Sequence, residues 1–293
     1  MLPPEVLAKI QRFHFKTRKL ASEIFAGQYE SAFKGQGIEF AEVREYQVGD
    51  DIRSIDWNVS ARFGHPFVKV FHEERELTIM LLIDLSRSHH FGTRQRFKRE
   101  LLAEVAGMLA FLATRTNDRV GAILFSGTVE RFIPPRKGSR HVWRIIREIF
   151  TFTPENPATD INAALEFLNT AVKRHAYVFL LSDCMDEGFE KSLKLTARKH
   201  DLTVIRISDP AEDILPDAGY VSLQDPETGE RTVVNTGSEA VRRRFEEYRW
   251  EQREGLRRML AGLDVDLVDI RVDGPVVEPL MHLFDRRRKR LNA

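Results

Sequence analysis

The sequence predicts an α/β fold built on a doubly wound, mostly parallel sheet. Four short apolar runs, at residues 77–83, 119–125, 176–182 and 202–208, each have the length and composition of a strand that is covered on both faces. Segments with a helical spacing of apolar residues separate these runs. Strands that alternate with helices form βαβ units, which place parallel strands side by side with helices on both faces.

The elements between and after these strands follow the same alternation. Amphipathic helices are predicted near 97–112, 140–150, 159–175 and 187–200, where apolar residues recur at helical spacing. The segment near 265–272 returns to a strand-like pattern and is predicted to be the last strand of the main sheet. The α/β domain therefore covers residues 76–210 together with this late strand.

The flanking segments predict smaller elements. Residues 1–32 are predicted to form an N-terminal helix, and residues 33–75, which are rich in Gly, Asp and β-forming residues, to form short strands and turns. Residues 211–293 contain a predicted hairpin, a charged helix and a basic C-terminal helix, with "DPETGE" as the hairpin turn. Neither residues 33–75 nor the 219–236 hairpin can bury a face alone, so we expect both to form one small β-rich module beside the α/β domain.

Composition excludes several classes of protein. The chain has 293 residues and a net charge of +1, a balance that argues against a nucleic-acid-binding protein. Its one cysteine, Cys184, excludes an intrachain disulfide and a cysteine-based zinc site, and fits a reducing compartment. The charged N-terminus is not a secretory signal, and no apolar stretch approaches the roughly 18 residues of a membrane span. We expect a soluble cytoplasmic protein with no integral membrane segment.

Oxygen-bearing side chains follow the predicted strands. Asp84, Ser86 and Ser88 come at the end of the first strand, Asp183 follows the strand at 176–182, and Thr159 lies at the start of the helix before that strand. Ligands of open parallel sheets bind beyond the carboxyl ends of the strands, so these side chains meet if the two strands are neighbours. Oxygen ligands suit Mg²⁺, Mn²⁺ or Ca²⁺, and so few carboxylates leave an ion room for water or an outside acid.

Each of these residues also has a plainer interpretation. The segment after the first strand is compatible with a polar turn, Thr159 with a helix cap, and Asp183 with a loop carboxylate. The complete set, in order and at strand ends, favours the metal site. His89 is interpreted as a loop residue, because imidazole matches a hard oxygen site poorly. The acidic segment 49–57, "GDDIRSIDW", is compatible with a catalytic cluster but better fits a structural role, with a Gly-Asp turn, an Arg–Asp pair and a packed tryptophan.

The succession "DLSRS", "ATD" and "LLSD" resembles the metal-ion-dependent adhesion site of von Willebrand factor A domains, which have a Rossmann-like fold. The resemblance implies that the serines and the threonine bind the ion directly and that one or both aspartates bind directly or through water. It also implies that the ion binds an acidic side chain of a partner protein. The implied metal ligands are Asp84, Ser86, Ser88, Thr159 and Asp183.

The flanking segments resemble a narrower bacterial family, domain of unknown function 58 (DUF58). The resemblance rests on "GQGIEF", "REYQVGDDIRSIDW" and "ARFGHPFVKVFHEE" ahead of the α/β domain, and on "VDIRVDGPVVEPLMHLF" at its end. It implies an association with a MoxR-type AAA+ ATPase in the assembly or maturation of a client protein. The chain has no GxxxxGK[ST] phosphate-binding loop of its own, so we do not expect it to hydrolyse nucleotide.

Three functions follow from this site. We expect a non-enzymatic, metal-dependent protein–protein interaction module, an adaptor or co-chaperone that binds the ATPase, its client or both through an acidic side chain. A Mg²⁺-dependent phosphohydrolase with Asp84 as nucleophile is the main alternative, but it needs a second acid close to the nucleophile, and position 86 is a serine. A structural scaffold that merely retains its metal is the third.

Overall fold

The computed structural model describes residues 29, 32–33, 37–74, 76–90, 96–225 and 227–291. The predicted N-terminal helix lies outside the described residues, apart from Tyr29 and Ala32, which are both helical. The described strands are β1 (Gly37–Glu45), β2 (Phe67–Glu74), β3 (Thr78–Asp84), β4 (Arg119–Phe125), β5 (Val129–Arg136), β6 (Tyr177–Ser182), β7 (Asp201–Ser208), β8 (Tyr220–Gln224), β9 (Arg231–Asn235) and β10 (Asp266–Arg271).

The described helices are α1 (Trp57–Phe63), α2 (Lys98–Arg115), α3 (Ser139–Thr151), α4 (Ile161–Ala171), α5 (Glu190–Lys199), α6 (Glu239–Gly262) and α7 (Val277–Leu291). Short 3₁₀ turns lie at Ile52–Ser54, Arg87–His90 and Pro210–Glu212. Among the helices of these described ranges, none combines the length and the apolar character that a membrane span requires.

The central sheet has six strands in the order β10-β7-β6-β3-β4-β5. All neighbouring strands are parallel except β4 and β5, which are antiparallel. The α/β fold with a mostly parallel sheet is therefore confirmed, including β10 as the late strand at one edge. β3 lies in the interior of the sheet between β4 and β6, so consecutive stretches of the chain lie on opposite sides of it.

Side chains of β3 alternate between two apolar cores. Ile79, Leu81 and Ile83 face the core that contains residues of α2, α3 and α7, whereas Met80 and Leu82 face the core that contains residues of α4, α5 and α6. All five are completely buried. Burying one such side chain contributes about 1.5–3 kcal/mol, so β3 and its first loop are held by the most protected part of the fold.

β5 is an edge strand that the sequence analysis did not predict. It is partly exposed and contains Pro134 and Pro135. Proline has no backbone N–H to donate, so it is tolerated in an edge strand, which bonds to a neighbour on one side only. Gly121 on β4 allows β5 to approach closely. A Cβ atom on residue 121 would lie 2.9 Å from the Ile133 carbonyl oxygen of β5 and 2.8 Å from Met80 Sδ of β3. Its proline-containing sequence hides the strand from pattern recognition.

The flanking segments form two separate two-stranded sheets, and no described strand joins them into one sheet. β1 pairs only with β2 and β8 only with β9 among the described strands, both antiparallel. In each two-stranded sheet the two strands satisfy their facing hydrogen bonds with each other, which removes the need for a shared sheet. Residues 225 and 227–230 of the predicted turn lie between β8 and β9, and Glu227 among them contacts Thr159 of the α/β domain.

The acidic segment 49–57 has the predicted structural role but not the predicted contacts. Asp50 forms a bidentate pair with Arg44 on β1, with two N–O distances of 2.7 Å, rather than with Arg53. Asp56 caps α1 by accepting hydrogen bonds from two backbone N–H groups. Trp57 is 69% exposed, so the expected packed tryptophan was wrong. These acids are used in turns and caps, which argues against a catalytic cluster.

A buried histidine makes the fold sensitive to acid. His200 is 2% exposed, and neither of its ring nitrogens bonds to a residue in the described part of the chain. Burial, with the charges of Lys199 and His175, lowers the pKa of His200 to about 4. In the unfolded chain His200 binds a proton near pH 6.5, whereas in the folded protein it stays neutral down to about pH 4. The free energy of unfolding is therefore highest above pH 6.5 and decreases as the pH falls toward 4.

We expect His200→Phe to flatten the acid dependence of stability. Between pH 7 and pH 4 the free energy of unfolding of the wild type should fall by roughly 3 kcal/mol more than that of the variant, because only the wild type has an imidazole at position 200 that is protonated on unfolding. Urea denaturation at a series of pH values measures this difference. Parallel pH curves for the two proteins would contradict the assignment.

Candidate metal centre

The candidate centre lies where two neighbouring strands end. β3 and β6 pair directly, with Ile83 opposite Leu181, so Asp84 and Asp183 emerge side by side at the carboxyl edge of the sheet. The chain leaves β3 toward β4 on one side and later returns to β6 on the other. This reversal of strand order is the place where open α/β sheets bind ligands.

Four of the five predicted ligands form one buried hydrogen-bonded group. Asp84 Oδ1 accepts a hydrogen bond from Ser86 N at 2.9 Å, and Ser182 Oγ donates to Asp84 Oδ2 at 2.6 Å. Ser88 Oγ donates to Asp183 Oδ2 at 2.8 Å and lies 3.0 Å from Ser86 Oγ. The side chains of this group are all buried, namely Asp84, Ser86, Ser88, Ser182 and Asp183. The structure thus brings Asp84, Ser86, Ser88 and Asp183 together as the sequence analysis predicts, with Ser182 as an additional member.

Thr159 lies at the start of α4 on the loop beside this group. The loop is tied to the 3₁₀ turn after β3, where Arg87 N donates to the Pro157 carbonyl oxygen at 3.0 Å. Asp160, not Thr159, caps α4 by accepting a hydrogen bond from Ala163 N at 2.7 Å. Thr159 instead donates from its backbone N and its hydroxyl to the carboxylate of Glu227. The capping role considered for Thr159 therefore belongs to its neighbour.

His89 is part of the centre rather than a remote loop residue. Its ring is fully buried, and its Nδ1 lies 3.6 Å from Asp84 Oδ1 and 3.3 Å from the hydroxyl oxygens of Ser86 and Ser88. Ligand atoms of Asp84, His89 and Asp183 all lie within 4.8 Å of one another. The 3₁₀ turn folds the ring back onto the strand end, a local geometry that residue type alone does not predict.

Lys98 is a second residue that the sequence analysis did not identify. It begins α2 and is completely buried, which is rare for lysine unless it is paired. Its Nζ lies 2.8 Å from Asp183 Oδ2 and also pairs with Glu212, from the 3₁₀ turn after β7. The fold thus places a fixed positive charge beside one of the two aspartates.

The two aspartates have opposite electrostatic environments. Burial, and then the nearby charge of Asp183, raise the pKa of Asp84 to about 7. Burial also opposes ionisation of Asp183, but the charges of Lys98 and His89 and the hydrogen bonds from Lys98 and Ser88 outweigh it and lower the pKa of that carboxyl. Asp183 is therefore held in the ionised form by Lys98, whereas the base that lies beside Asp84 is the His89 ring.

This donor set fits a hard divalent cation. Two carboxylates and the hydroxyl groups of the serines and Thr159 offer only oxygen atoms, which Mg²⁺, Mn²⁺ and Ca²⁺ prefer. A cation would offset the negative charge of the buried Asp84, which pairs with no lysine or arginine among the described residues. Asp183 Oδ2 already accepts hydrogen bonds from Ser88 and Lys98, so Asp84 is the acid best placed to bind the ion directly.

The fold and the site define the class of protein: a Rossmann-like α/β protein with an oxygen-rich candidate metal centre at the reversal point of its sheet. Within that class the chain belongs to the family described as "Protein of unknown function DUF58", which matches residues 42–255. The recognition of this family from its flanking motifs is confirmed.

The relatives of this chain include one that covers nearly its whole length. The uncharacterized protein Rv1480 of Mycobacterium tuberculosis is 30% identical over 292 residues, which are 98% of this chain and 91% of that protein. The uncharacterized protein YeaD of Bacillus subtilis is 26% identical over 141 residues, which are 47% of this chain and 33% of that protein. Among solved structures, BatB from Bacteroides thetaiotaomicron is similar over 73% of this chain and 99% of its own, with a TM-score of 0.45 and 15% identity.

Proposed function

We propose that this protein is a metal-dependent protein–protein interaction module of the von Willebrand factor A type. The observation that carries the proposal is the buried group of Asp84, Ser86, Ser88 and Asp183 at the junction of β3 and β6. In this proposal Mg²⁺ or Mn²⁺ is held by Asp84 and by the hydroxyls, including Thr159. An ion with mostly neutral ligands keeps much of its charge and attracts an acidic side chain.

The partner in this proposal is a MoxR-type AAA+ ATPase, its client or both. The family resemblance supplies the identity of the ATPase, whereas the chemistry of the centre supplies the kind of contact, a carboxylate bound to the ion. One such contact cannot hold two proteins together, so loops around the centre must add buried area. The exposed Arg87 and the loop at 153–157 line a hollow beside the centre and are suited to that role.

The electrostatics of the centre argue against the phosphohydrolase. That reaction needs a second carboxyl group that donates or accepts a proton close to the nucleophile. Asp183 is the nearest acid to Asp84, but its contacts with Lys98 and Ser88 hold it in the ionised form. A carboxylate held in the ionised form by a lowered pKa has no proton to donate and is a weak base, so it is better suited to orienting ligands than to proton transfer.

The proposal predicts that binding of the ATPase requires both the ion and the centre. Purified ATPase should be retained by the immobilised wild-type protein in Mg²⁺, and retention should fall at least tenfold with chelator, with Asp84→Ala or with Thr159→Ala. Surface plasmon resonance with matched protein loading measures the loss. Asp264→Asn is the control, because Asp264 is an exposed acid that precedes β10, at the opposite edge of the sheet. Equal retention in all conditions would show that this face is not the interface.

A further inference from the structure

The turn of the β8–β9 hairpin brings a third carboxylate to the candidate metal centre. Thr159 donates to Glu227 twice, from its backbone N to Oε2 at 3.1 Å and from its hydroxyl to Oε1 at 2.6 Å. Glu227 is thus a partly buried acid whose carboxylate is held by Thr159, one of the predicted ligands of the centre.

The hairpin turn holds Glu227 in this place through its own backbone. Asp225 Oδ1 accepts hydrogen bonds from Glu227 N at 2.8 Å and from Thr228 N at 3.2 Å. Asp225 N donates to the Glu230 carbonyl oxygen at 2.9 Å, and Gly229 takes a positive φ of 78°, which a residue without a side chain adopts readily. These hydrogen bonds position the backbone of Glu227 and Thr228, so that the Glu227 carboxylate lies against Thr159.

The strands of the hairpin are attached to the rest of the protein mainly at their ends. Both strands are largely exposed, with Tyr220 at 77% and Val233 at 69% exposure. At the base of the hairpin, the hydroxyl of the buried Thr236 donates to the Gly219 carbonyl oxygen at 2.9 Å, and the carbonyl oxygen of Thr236 accepts from the Arg242 guanidinium at 2.6 Å. A two-stranded sheet without a buried face has little stability of its own. The contact between Glu227 and Thr159 therefore joins the tip of this exposed hairpin to the loop beside the centre.

We propose that Glu227 is an internal acidic ligand of the metal centre, which occupies the position that a partner's acidic side chain takes. This inference rests on the proposed function. An acid on the same chain competes at a high effective concentration, so the tip of the hairpin covers the ion until a partner displaces it. Two acids then compete for one ion, and partner binding is coupled to release of the hairpin.

Calorimetry with Mg²⁺ alone tests whether Glu227 contributes to the ion's site. We expect Glu227→Gln to weaken Mg²⁺ binding by about tenfold or more, because the amide keeps the shape and loses the charge. Glu230→Gln is the matched control, since Glu230 lies on the same turn and is exposed. Wild-type affinity in Glu227→Gln would overturn the inference.

A double-variant experiment separates a ligand from a residue that acts only through the Thr159 hydroxyl. If Glu227 acted only through the Thr159 hydroxyl, Glu227→Gln would have no further effect in a Thr159→Val background. We expect the loss of Mg²⁺ affinity to persist in that background, because Glu227 contacts the ion itself. A silent second substitution would overturn the assignment of Glu227 as a ligand.

Hydrogen exchange provides a readout that does not depend on any partner. Mg²⁺ should slow the exchange of the β8 and β9 amides in the wild type and in Glu230→Gln, and should not slow it in Glu227→Gln. If Mg²⁺ binds and Asp84→Asn removes that binding, yet hairpin exchange is unchanged, the internal ligand is wrong and the proposed function stands. If the wild type binds no Mg²⁺ at all, the proposed function fails and this inference fails with it.

Discussion

Lys98→Met is expected to lower the free energy of unfolding by about 3–5 kcal/mol in metal-free buffer, which is the usual cost of removing one partner of a buried ion pair. Lys98 is completely buried and pairs with both Asp183 and Glu212, so its loss leaves two acids without their cation. Methionine keeps most of the volume and the apolar stem. Urea denaturation measures the change, with Lys194→Met on the exposed side of α5 as the control.

The same variant should respond more strongly to metal than the wild type does. Removing one positive charge beside Asp183 makes the centre more negative, so Mg²⁺ should bind more tightly and recover part of the lost stability. A loss below about 1 kcal/mol would be typical of an exposed ion pair and would contradict the buried pairing. An equal loss with and without saturating Mg²⁺ would show that Lys98 and the ion do not share Asp183.

Asp84→Asn is expected to remove measurable Mg²⁺ binding while the fold survives. Asp183 is already paired with Lys98, so Asp84 supplies most of the attraction for the ion. The uncharged amide fits the same space, and it no longer repels Asp183. The metal-free variant should therefore unfold at a temperature at least as high as the metal-free wild type.

Calorimetry and thermal unfolding in a Mg²⁺ series check this prediction. The wild-type midpoint should rise with Mg²⁺ concentration, because an ion that binds only the folded state stabilises it by mass action. The midpoint of Asp84→Asn should not change across the same series. An Asp264→Asn control should behave as the wild type. A parallel rise in all three proteins would mean that the ion binds elsewhere.

The fold class could be predicted from the sequence because its determinants are local. Each interior strand of the sheet is a short apolar run, and the helices between them show their period within one stretch of chain. Four of the predicted ligands could be identified for a related reason. Asp84, Ser86, Ser88 and Asp183 follow directly from the ends of such runs, and parallel strands bring those ends to one edge.

Other features were decided only by the tertiary structure, because they depend on residues that are far apart along the chain. Lys98 reaches Asp183 across 85 positions, and Thr159 reaches Glu227 across 68. No sequence periodicity indicates that Lys98 will be buried or that Glu227, in a hairpin turn, will contact the loop that carries Thr159. In each case the charge became meaningful only when packing removed it from water and left an opposite charge or a hydroxyl as its partner.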